Sequence, residues 1–343
     1  MALISVIVPC YNVEKLIDRL FYTLENQTIG FNKLEVIFVD DCSTDSTVSK
    51  LEKFESKYHE NVLIIKCDEN GRQGKARNIG LSYATAEYIG FLDSDDWIEL
   101  NYFGKLYDMA SRNDYDFVAC DNGRDPSKDI SFFENTQSKR NSEEYNLSDD
   151  KARKELIMLP TLGYEAWGKI FKKSFLVENN LYFPENITYE DSGWGSLVHL
   201  CVNKAFFLGE KLYHYYVNEE STVLTTNSNH HLDLFTIQMS VWDQYISRGF
   251  LEKYRYELEI EHIFSFYLAG IKAIVLRYET PDYNAYLLLR YLMLSHVPNY
   301  EENPYVTSDR FSDYYLMILT SLKTELSKRQ FFEMAENIKK IGI

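Results

Sequence analysis

The strongest constraint on the fold is a regular alternation between apolar runs and helix-like segments over the first 120 residues. The apolar runs occupy residues 3–8, 34–39, 62–66 and 88–92. Uninterrupted runs of this length are typical of strands that are buried on both faces. Between them, apolar residues recur at helical spacing. Repeated strand–helix units predict an α/β domain in which a mostly parallel sheet is flanked by helices.

The chain after residue 120 has a different pattern. Within the first region we predict helices and a last short strand over 13–27, 44–58, 73–84, 99–111 and 117–120. Residues 122–150 are polar and mixed in charge, which predicts a long loop that could carry acceptor-binding elements. The strand and helix pattern resumes over 156–217, and residues 228–343 have the spacing of amphipathic helices. We therefore expect an α/β part followed by a C-terminal α-helical region.

Charge and cysteine content restrict the partners and the compartment. The sequence has 52 Asp and Glu against 36 Lys and Arg, a formal net charge of −16. Such a surface argues against nucleic-acid binding, although a metal ion or a few cations can still bind a phosphate locally. The five cysteines are scattered, which indicates reduced thiols. Because no signal peptide or membrane span is predicted, we expect a cytoplasmic protein that could work at the inner face of the plasma membrane.

Polar residues follow all four predicted strands at one edge of the sheet. In open α/β sheets, ligands bind beyond the carboxyl ends of the strands. The polar residues at these ends are Tyr11 and Asn12, Asp40 and Asp41, Asn70, Arg72, Lys75 and Arg77, and Asp93, Ser94, Asp95 and Asp96. Four such strand ends predict a ligand site at this edge.

The carboxylates at positions 93 and 95 give the sharpest chemical prediction. Asp93 and Asp95 can hold a hard divalent cation by one or two oxygens and leave its other positions to water and phosphate. Such an ion would neutralise a departing diphosphate. The competing interpretation is a turn with an Asp cap for the next helix.

The aromatic and cationic residues at this edge also have two interpretations each. Tyr11 offers a ring face to a nucleobase, or it is a packing residue. Arg72, Lys75 and Arg77 can place cations beside a diphosphate, or they belong to a solvated helix face. These alternatives cannot be separated from the residues alone.

Four segments within the first 125 residues resemble the family 2 inverting glycosyltransferases, which have the GT-A fold. They are VIVPCYN (6–12), VDDCSTD (39–45), GRQGKARNIGL (71–81) and YIGFLDSDDW (88–97). Weaker matches follow in the same order. WGKIFKKSFL (167–176) and YED (189–191) resemble the family's post-sheet segment and its acidic element, and KLYHYY (211–216) resembles the closing strand of the bacterial polysaccharide-type subgroup. The resemblance implies a GT-A catalytic domain over 1–225 and a helical region over 226–343.

The resemblance also implies a donor site. Its nucleotide-sugar-binding residues would be Pro9, Tyr11, Asn12, Asp41, Asn70, Lys75, Arg77, Asp93, Ser94, Asp95 and Asp96. Within this set, Pro9, Tyr11 and Asp41 would hold the base and ribose. Asp93 and Asp95 would be the DxD pair that binds Mn²⁺ or Mg²⁺ and the diphosphate. Asp96 would share this role or contact the sugar.

The reaction implied by the resemblance is inverting transfer of a sugar from a nucleotide-diphosphate sugar, most often a UDP-sugar. The acceptor would be a hydroxyl group of a glycan or lipid-linked acceptor in cell-surface polysaccharide synthesis. Asp191 would be the general base, with Glu190 as the second candidate. The C-terminal region is rich in Tyr, and its helices could wall the acceptor groove, form a homo-oligomer or contact a membrane surface. The competing interpretation is an ordinary helical core with a solvated face. The alternatives are a non-catalytic nucleotide- or sugar-binding module and a nucleotidyltransferase on a related fold.

Overall fold

The computed structural model describes residues 2–127, 129–217, 225–307 and 311–341. The chain divides into two units, Met1–Arg153 with Pro160–Asn218 and Lys154–Leu159 with Glu219–Ile343. The first unit contains a β-sheet flanked by helices, and the second unit is helical. The predicted α/β class with a helical C-terminal region is confirmed, while the predicted boundary after residue 225 stays a prediction.

A sheet of nine strands, counted over the described residues, forms the centre of the first unit. The strands are β1 (Ile4–Cys10), β2 (Leu34–Asp40), β3 (Val62–Lys66), β4 (Tyr88–Phe91), β5 (Trp97–Ile98), β6 (Phe117–Asp125), β7 (Glu143–Asn146), β8 (Lys169–Lys172) and β9 (Lys204–Tyr216). Their order is β3-β2-β1-β4-β8-β6-β9-β5, and β7 pairs with β9. β1 pairs in parallel with β2 and β4, and β2 with β3. The carboxyl ends of these four strands therefore meet at one edge, as predicted.

Helices follow the strands in this part of the chain. They are α1 (Ile17–Glu25), α2 (Thr47–Lys57), α3 (Arg72–Tyr83), α4 (Tyr102–Arg112), α5 (Asp150–Met158), α6 (Lys173–Glu178) and α7 (Glu190–Cys201). Phe21 of α1 stacks on Phe54 of α2 with 4.3 Å between ring centroids, and both rings meet Phe38 of β2 edge-on. Gly80 lets α3 approach β1, because a Cβ at this position would overlap the Ile7 side chain.

The first helix begins later than predicted. Its predicted start at residue 13 is wrong, because α1 begins at Ile17. The backbone N–H groups of Val13 and Glu14 donate instead to Thr47 Oγ1 at 2.8 Å and to Asp45 Oδ2 at 3.1 Å. These side chains take donors that an earlier helical turn would leave unpaired, and they join the loop after β1 to the start of α2.

The prediction of one long loop over 122–150 is wrong in part. β6 continues to Asp125 after register shifts between Cys120 and Asn122. β7 then adds antiparallel to β9, and its residues are mostly exposed. A polar edge strand lacks the apolar run on which strand prediction depends. The polar composition of this segment therefore gave no sign of β7.

The second unit consists of helices packed around buried aromatic residues. They are α8 (Asp233–Ser247), α9 (Phe250–His262), α10 (Ala269–Leu276), α11 (Tyr283–His296), α12 (Asp313–Lys323) and α13 (Lys328–Ile341). A π-helical stretch, Ile263–Leu268, joins α9 to α10. Tyr245, Tyr267 and Tyr286 are fully buried, which favours the core interpretation for part of the Tyr-rich region. No helix in the described part of the chain is long and apolar enough to cross a bilayer.

Candidate functional site

The loops after β1 and β2 are joined by hydrogen bonds at the polar edge of the sheet. Asn12 has a φ of 52°, donates from its backbone to Ser43 Oγ at 3.0 Å and accepts from Thr44 N at 2.8 Å. Pro9 is buried within β1, whereas the Tyr11 side chain is 49% exposed. Pro9 and Asn12 therefore shape a loop that presents the Tyr11 ring to solvent.

Asp41 connects the end of β2 to the N-terminus of α3. Its Oδ1 accepts from Gly71 N at 2.8 Å, and its backbone carbonyl accepts from Asn70 Nδ2 at 3.1 Å. Within the described residues, its Oδ2 has no hydrogen-bond partner. Lys75 pairs with Glu69 at 2.9 Å near the surface. The structure thus brings Asp41 and Asn70 together, whereas the Lys75 ammonium forms an ion pair with a carboxylate near the surface.

The acidic turn, residues 93–96, follows β4 and is held by β9. Asp96 is 1% exposed; its Oδ2 accepts from the Tyr213 hydroxyl at 2.6 Å and its Oδ1 from Tyr216 N at 2.8 Å. The Tyr213 oxygen also accepts from Asp93 N at 3.2 Å. Ser94 is buried within the turn. Because both oxygens of Asp96 are engaged inside the protein, a positioning role is favoured over the predicted contact with the sugar.

Asp93 and Asp95 are two carboxylates of the acidic turn that a divalent cation could share. Burial and then the charge of Asp93 raise the pKa of Asp95 to about 6, so a cation would offset the repulsion between two carboxylates. No group of three or more His, Cys, Asp or Glu in the part of the chain that is described could hold a metal ion. A site with two carboxylates would therefore need diphosphate and water oxygens, as Mg²⁺ commonly does in nucleotide sites.

Arg19 supports the acidic turn from α1. Its Nη2 donates to the backbone carbonyl of Asp95 at 2.7 Å and its Nη1 to that of Ser127 at 3.0 Å. The guanidinium carbon lies 4.6 Å from the Trp97 ring centroid and 4.2 Å from that of Tyr216. Arg19 was not predicted from the sequence, because no local pattern marks an arginine whose partners lie far along the chain.

Arg77 joins the acidic turn to α7. It is 2% exposed, and its Nη2 donates to Asp93 Oδ1 at 2.7 Å while its Nη1 donates to Glu190 Oε1 at 2.5 Å. Burial alone would lower the pKa of Arg77, but the charges of Asp93, Glu190 and Asp191 outweigh it and raise that pKa. The prediction of Arg77 near the donor stays a prediction. The bridge itself was not predicted.

The acidic pair, Glu190 and Asp191, begins α7 in two different environments. Glu190 is 6% exposed and bound to Arg77. Asp191 is half-buried, and its Oδ1 accepts from Ser192 N at 2.8 Å. Burial, followed by the charge of Glu190, raises the pKa of Asp191 to about 6. Tyr189, which precedes the pair, has a φ of 62°, a conformation that is uncommon for a bulky residue and that is enriched at functional sites.

Comparisons with known proteins match both the sequence and the fold. The model of the family described as Glycosyl transferase family 2 matches residues 5–176. A poly(ribitol-phosphate) beta-glucosyltransferase of Bacillus spizizenii is 33% identical over 222 residues, 63% of this chain and 32% of that protein. The poly(ribitol-phosphate) beta-N-acetylglucosaminyltransferase TarS of Staphylococcus aureus is 32% identical over 221 residues, 63% of this chain and 36% of that protein. The chain spans about a third of the length of these two relatives.

A solved structure extends the likeness of fold to nearly the whole chain. The crystal structure of S. aureus TarS 1–349 in complex with UDP-GlcNAc has a TM-score of 0.73 and 20% sequence identity. The match covers 98% of this chain and 90% of that chain. At this identity the comparison shows a shared fold.

Proposed function

The chain belongs to glycosyltransferase family 2, and from this premise we propose that it moves a sugar from a UDP-sugar to a hydroxyl group of a cell-wall polymer. The observation that carries the proposal is the Arg77 bridge, which holds Asp93 of the acidic turn and Glu190 of the acidic pair on one guanidinium. The proposed diphosphate site and the proposed carboxylate base would thereby lie close to each other. The names of the two relatives support a glucosyl or N-acetylglucosaminyl donor and a poly(ribitol-phosphate) acceptor.

The donor end of the site would be built from the first two strand ends. The exposed Tyr11 ring offers a face to the base, and Asp41 Oδ2 can accept from a base or ribose donor. Asp93 and Asp95 would hold Mn²⁺ or Mg²⁺, which when bound neutralises charge on the diphosphate as it leaves. Asp96 and Arg19 keep the turn in place through Tyr213 and the Asp95 carbonyl.

The proton-transfer step belongs to Asp191. Its carboxylate takes the proton of the acceptor hydroxyl while that oxygen forms a bond to the anomeric carbon. The bond from the anomeric carbon to the diphosphate oxygen breaks on the opposite face, and its electron pair leaves with UDP. One displacement inverts the anomeric centre. Glu190 is bound to Arg77, so the structure favours it as a positioning residue and favours Asp191 as the base.

A pH profile tests the ionisation of Asp191. A general base acts only when deprotonated, and the pKa of Asp191 is raised from 3.8 to about 6. We expect kcat/KM for the acceptor, which reports the pKa before the acceptor binds, to be constant above neutral pH and to fall with decreasing pH below about 6, approaching tenfold per pH unit. The measurement is kcat/KM for the acceptor at saturating metal and donor from pH 4.5 to 8.5. A profile that stays flat down to pH 4.5 would contradict this assignment.

Substitution of Asp95 tests the metal site. We expect Asp95→Asn to weaken Mn²⁺-dependent UDP binding by about 100-fold, because the amide keeps the shape but loses the charge. UDP affinity is measured by calorimetry with Mn²⁺ and with EDTA. The control is Asp18→Asn, which removes an exposed partner of Lys50. Equal effects of Mn²⁺ on Asp95→Asn and the unaltered protein would exclude Asp95 as a ligand.

The proposed function is tested directly with a panel of UDP-sugars. The purified chain is incubated with each donor, Mn²⁺ and a ribitol-phosphate oligomer, and UDP release and product mass are measured. We expect release with UDP-glucose or UDP-N-acetylglucosamine and an acceptor mass increased by one hexose or N-acetylhexosamine. If no donor in the panel is turned over while UDP still binds, the non-catalytic binding module becomes the better description.

A further inference from the structure

An aromatic surface with a cation lies next to the acidic turn on one face of β6 and β9. We name it the arginine–aromatic face, formed by Arg124, Trp167 and Tyr215 next to the fully buried ring of Tyr213. The Trp167 ring stacks on Tyr213 with 4.6 Å between centroids and on Tyr215 with 5.6 Å. The Tyr213 oxygen accepts from Asp93 N. The aromatic stack is therefore continuous with the turn that would hold the diphosphate.

Arg124 is placed on the same face by the strand register. It aligns with Tyr215 in the parallel pairing of β6 and β9, and aligned residues of neighbouring strands point to the same side of a sheet. Its side chain is exposed and forms no hydrogen bond or ion pair with any residue that the structure describes. Burial and the charges of Asp96, Asp95 and Asp93 raise the pKa of Tyr215, while Arg124 lowers it. Tyr215 thus lies within electrostatic reach of both the turn and the arginine.

This free cation has a consequence for the acceptor. A chain with a net charge of −16 repels a polyanion at long range, so binding of one requires a cation close to the site. An arginine presents donors that match two phosphate oxygens. The neighbouring rings offer flat surfaces for the apolar side of a sugar or polyol. Arg124 with Trp167 and Tyr215 therefore supplies both halves of a site for a phosphate-bearing chain.

We propose that the arginine–aromatic face is the acceptor subsite and that it binds a phosphodiester group of the acceptor through Arg124, with Trp167 and Tyr215 against the adjoining sugar or polyol. This inference rests on the proposed function and assigns recognition of the acceptor's phosphodiester groups to Arg124. It also predicts a difference between acceptors. A neutral glycan of equal length lacks the group that Arg124 recognises.

The test compares Arg124→Gln with the unaltered chain on two acceptors, a synthetic ribitol-phosphate oligomer and a phosphate-free oligosaccharide. We expect the KM for the ribitol-phosphate oligomer to rise about 10- to 100-fold, the effect of one charge-assisted hydrogen bond. Its dependence on NaCl should weaken, since the screened charge is gone. The KM for the UDP-sugar should not change. Arg124→Lys should recover part of the loss, and Arg112→Gln, at an exposed arginine of α4, should have no effect.

Binding of the labelled ribitol-phosphate oligomer, measured by fluorescence anisotropy without donor, separates this inference from the proposed function. Loss of binding in Arg124→Gln and in Trp167→Leu would support the arginine–aromatic face as the acceptor subsite, even if no UDP-sugar is turned over. Unchanged oligomer binding and unchanged salt dependence in Arg124→Gln would overturn the inference while leaving sugar transfer intact. Equal losses for the neutral oligosaccharide would overturn it as well, because they would show that phosphate is not what the arginine recognises.

Discussion

Asp191→Asn is expected to lower kcat for sugar transfer by about 10²- to 10⁴-fold, the usual contribution of a general base, with UDP-sugar affinity nearly unchanged. The amide has almost the same shape as the carboxylate but cannot take the acceptor proton. Asp191 Oδ1 accepts from Ser192 N, and the amide oxygen can keep that bond. Single-turnover rates give the loss in the chemical step, and calorimetry with UDP gives the affinity.

The matched control for this variant is Glu190→Gln, one residue away. Glu190 forms a buried ion pair with Arg77. Replacement of Glu190 should therefore lower both thermal stability and donor affinity. Asp191→Asn should leave both close to normal. Near-normal transfer by Asp191→Asn would show that the base has been assigned to the wrong residue, and a large loss of kcat in Glu190→Gln without a loss of stability would point to Glu190.

Arg77→Met is expected to cost about 3–5 kcal/mol of the free energy of unfolding, the range seen when one partner of a buried ion pair is removed. Asp93 and Glu190 both lose their shared cation, and Glu190 is left charged and buried. Met fills a similar volume, so the loss comes mainly from charge. The free energy of unfolding is measured by urea titration of the transition of the first unit.

Lys75→Met provides the control on the same helix. The Lys75–Glu69 pair lies near the surface, where water screens the two charges, so we expect no measurable loss of stability. Both variants remove one cation from α3, but only Arg77 is buried. The difference between their losses of unfolding free energy therefore measures the effect of burial. A loss of less than 1 kcal/mol in Arg77→Met would mean that Asp93 and Glu190 are hydrated or protonated without their partner, and the bridge would then not stabilise the site.

The strands near the donor end were predictable because their physical cause is local. Continuous apolar runs gave the bounds of β2, β3 and β4 within one residue of those observed. β7 was not predictable in this way, because an exposed edge strand needs no apolar run. The predicted start of α1 was wrong for a related reason. The partners of Val13 and Glu14 are Thr47 and Asp45, and sequence spacing does not reveal side-chain acceptors from another loop.

The candidate site was predictable as a set of residues and not as a network. The acidic turn stands out because carboxylates follow an apolar strand, whereas the acidic pair was predicted only from the resemblance to the family. Nothing in the sequence says that Arg77 binds members of both, that Asp96 points inward to Tyr213, or that Arg19 lies under the turn. Such contacts depend on how distant segments pack, so only the structure separates positioning residues from those with free oxygens.

The distance along the chain between these partners affects how the protein is assembled during synthesis. Arg77 and Glu190 are 113 residues apart, and Asp96 and Tyr213 are 117 apart. At about 5–20 residues per second, the ribosome takes roughly 6–23 s to supply the second member of such a pair. Contacts of this high contact order form late and slowly. A nascent chain that has reached residue 176, where the family match ends, would therefore carry Arg77 and Asp96 before their partners Glu190 and Tyr213 have been made.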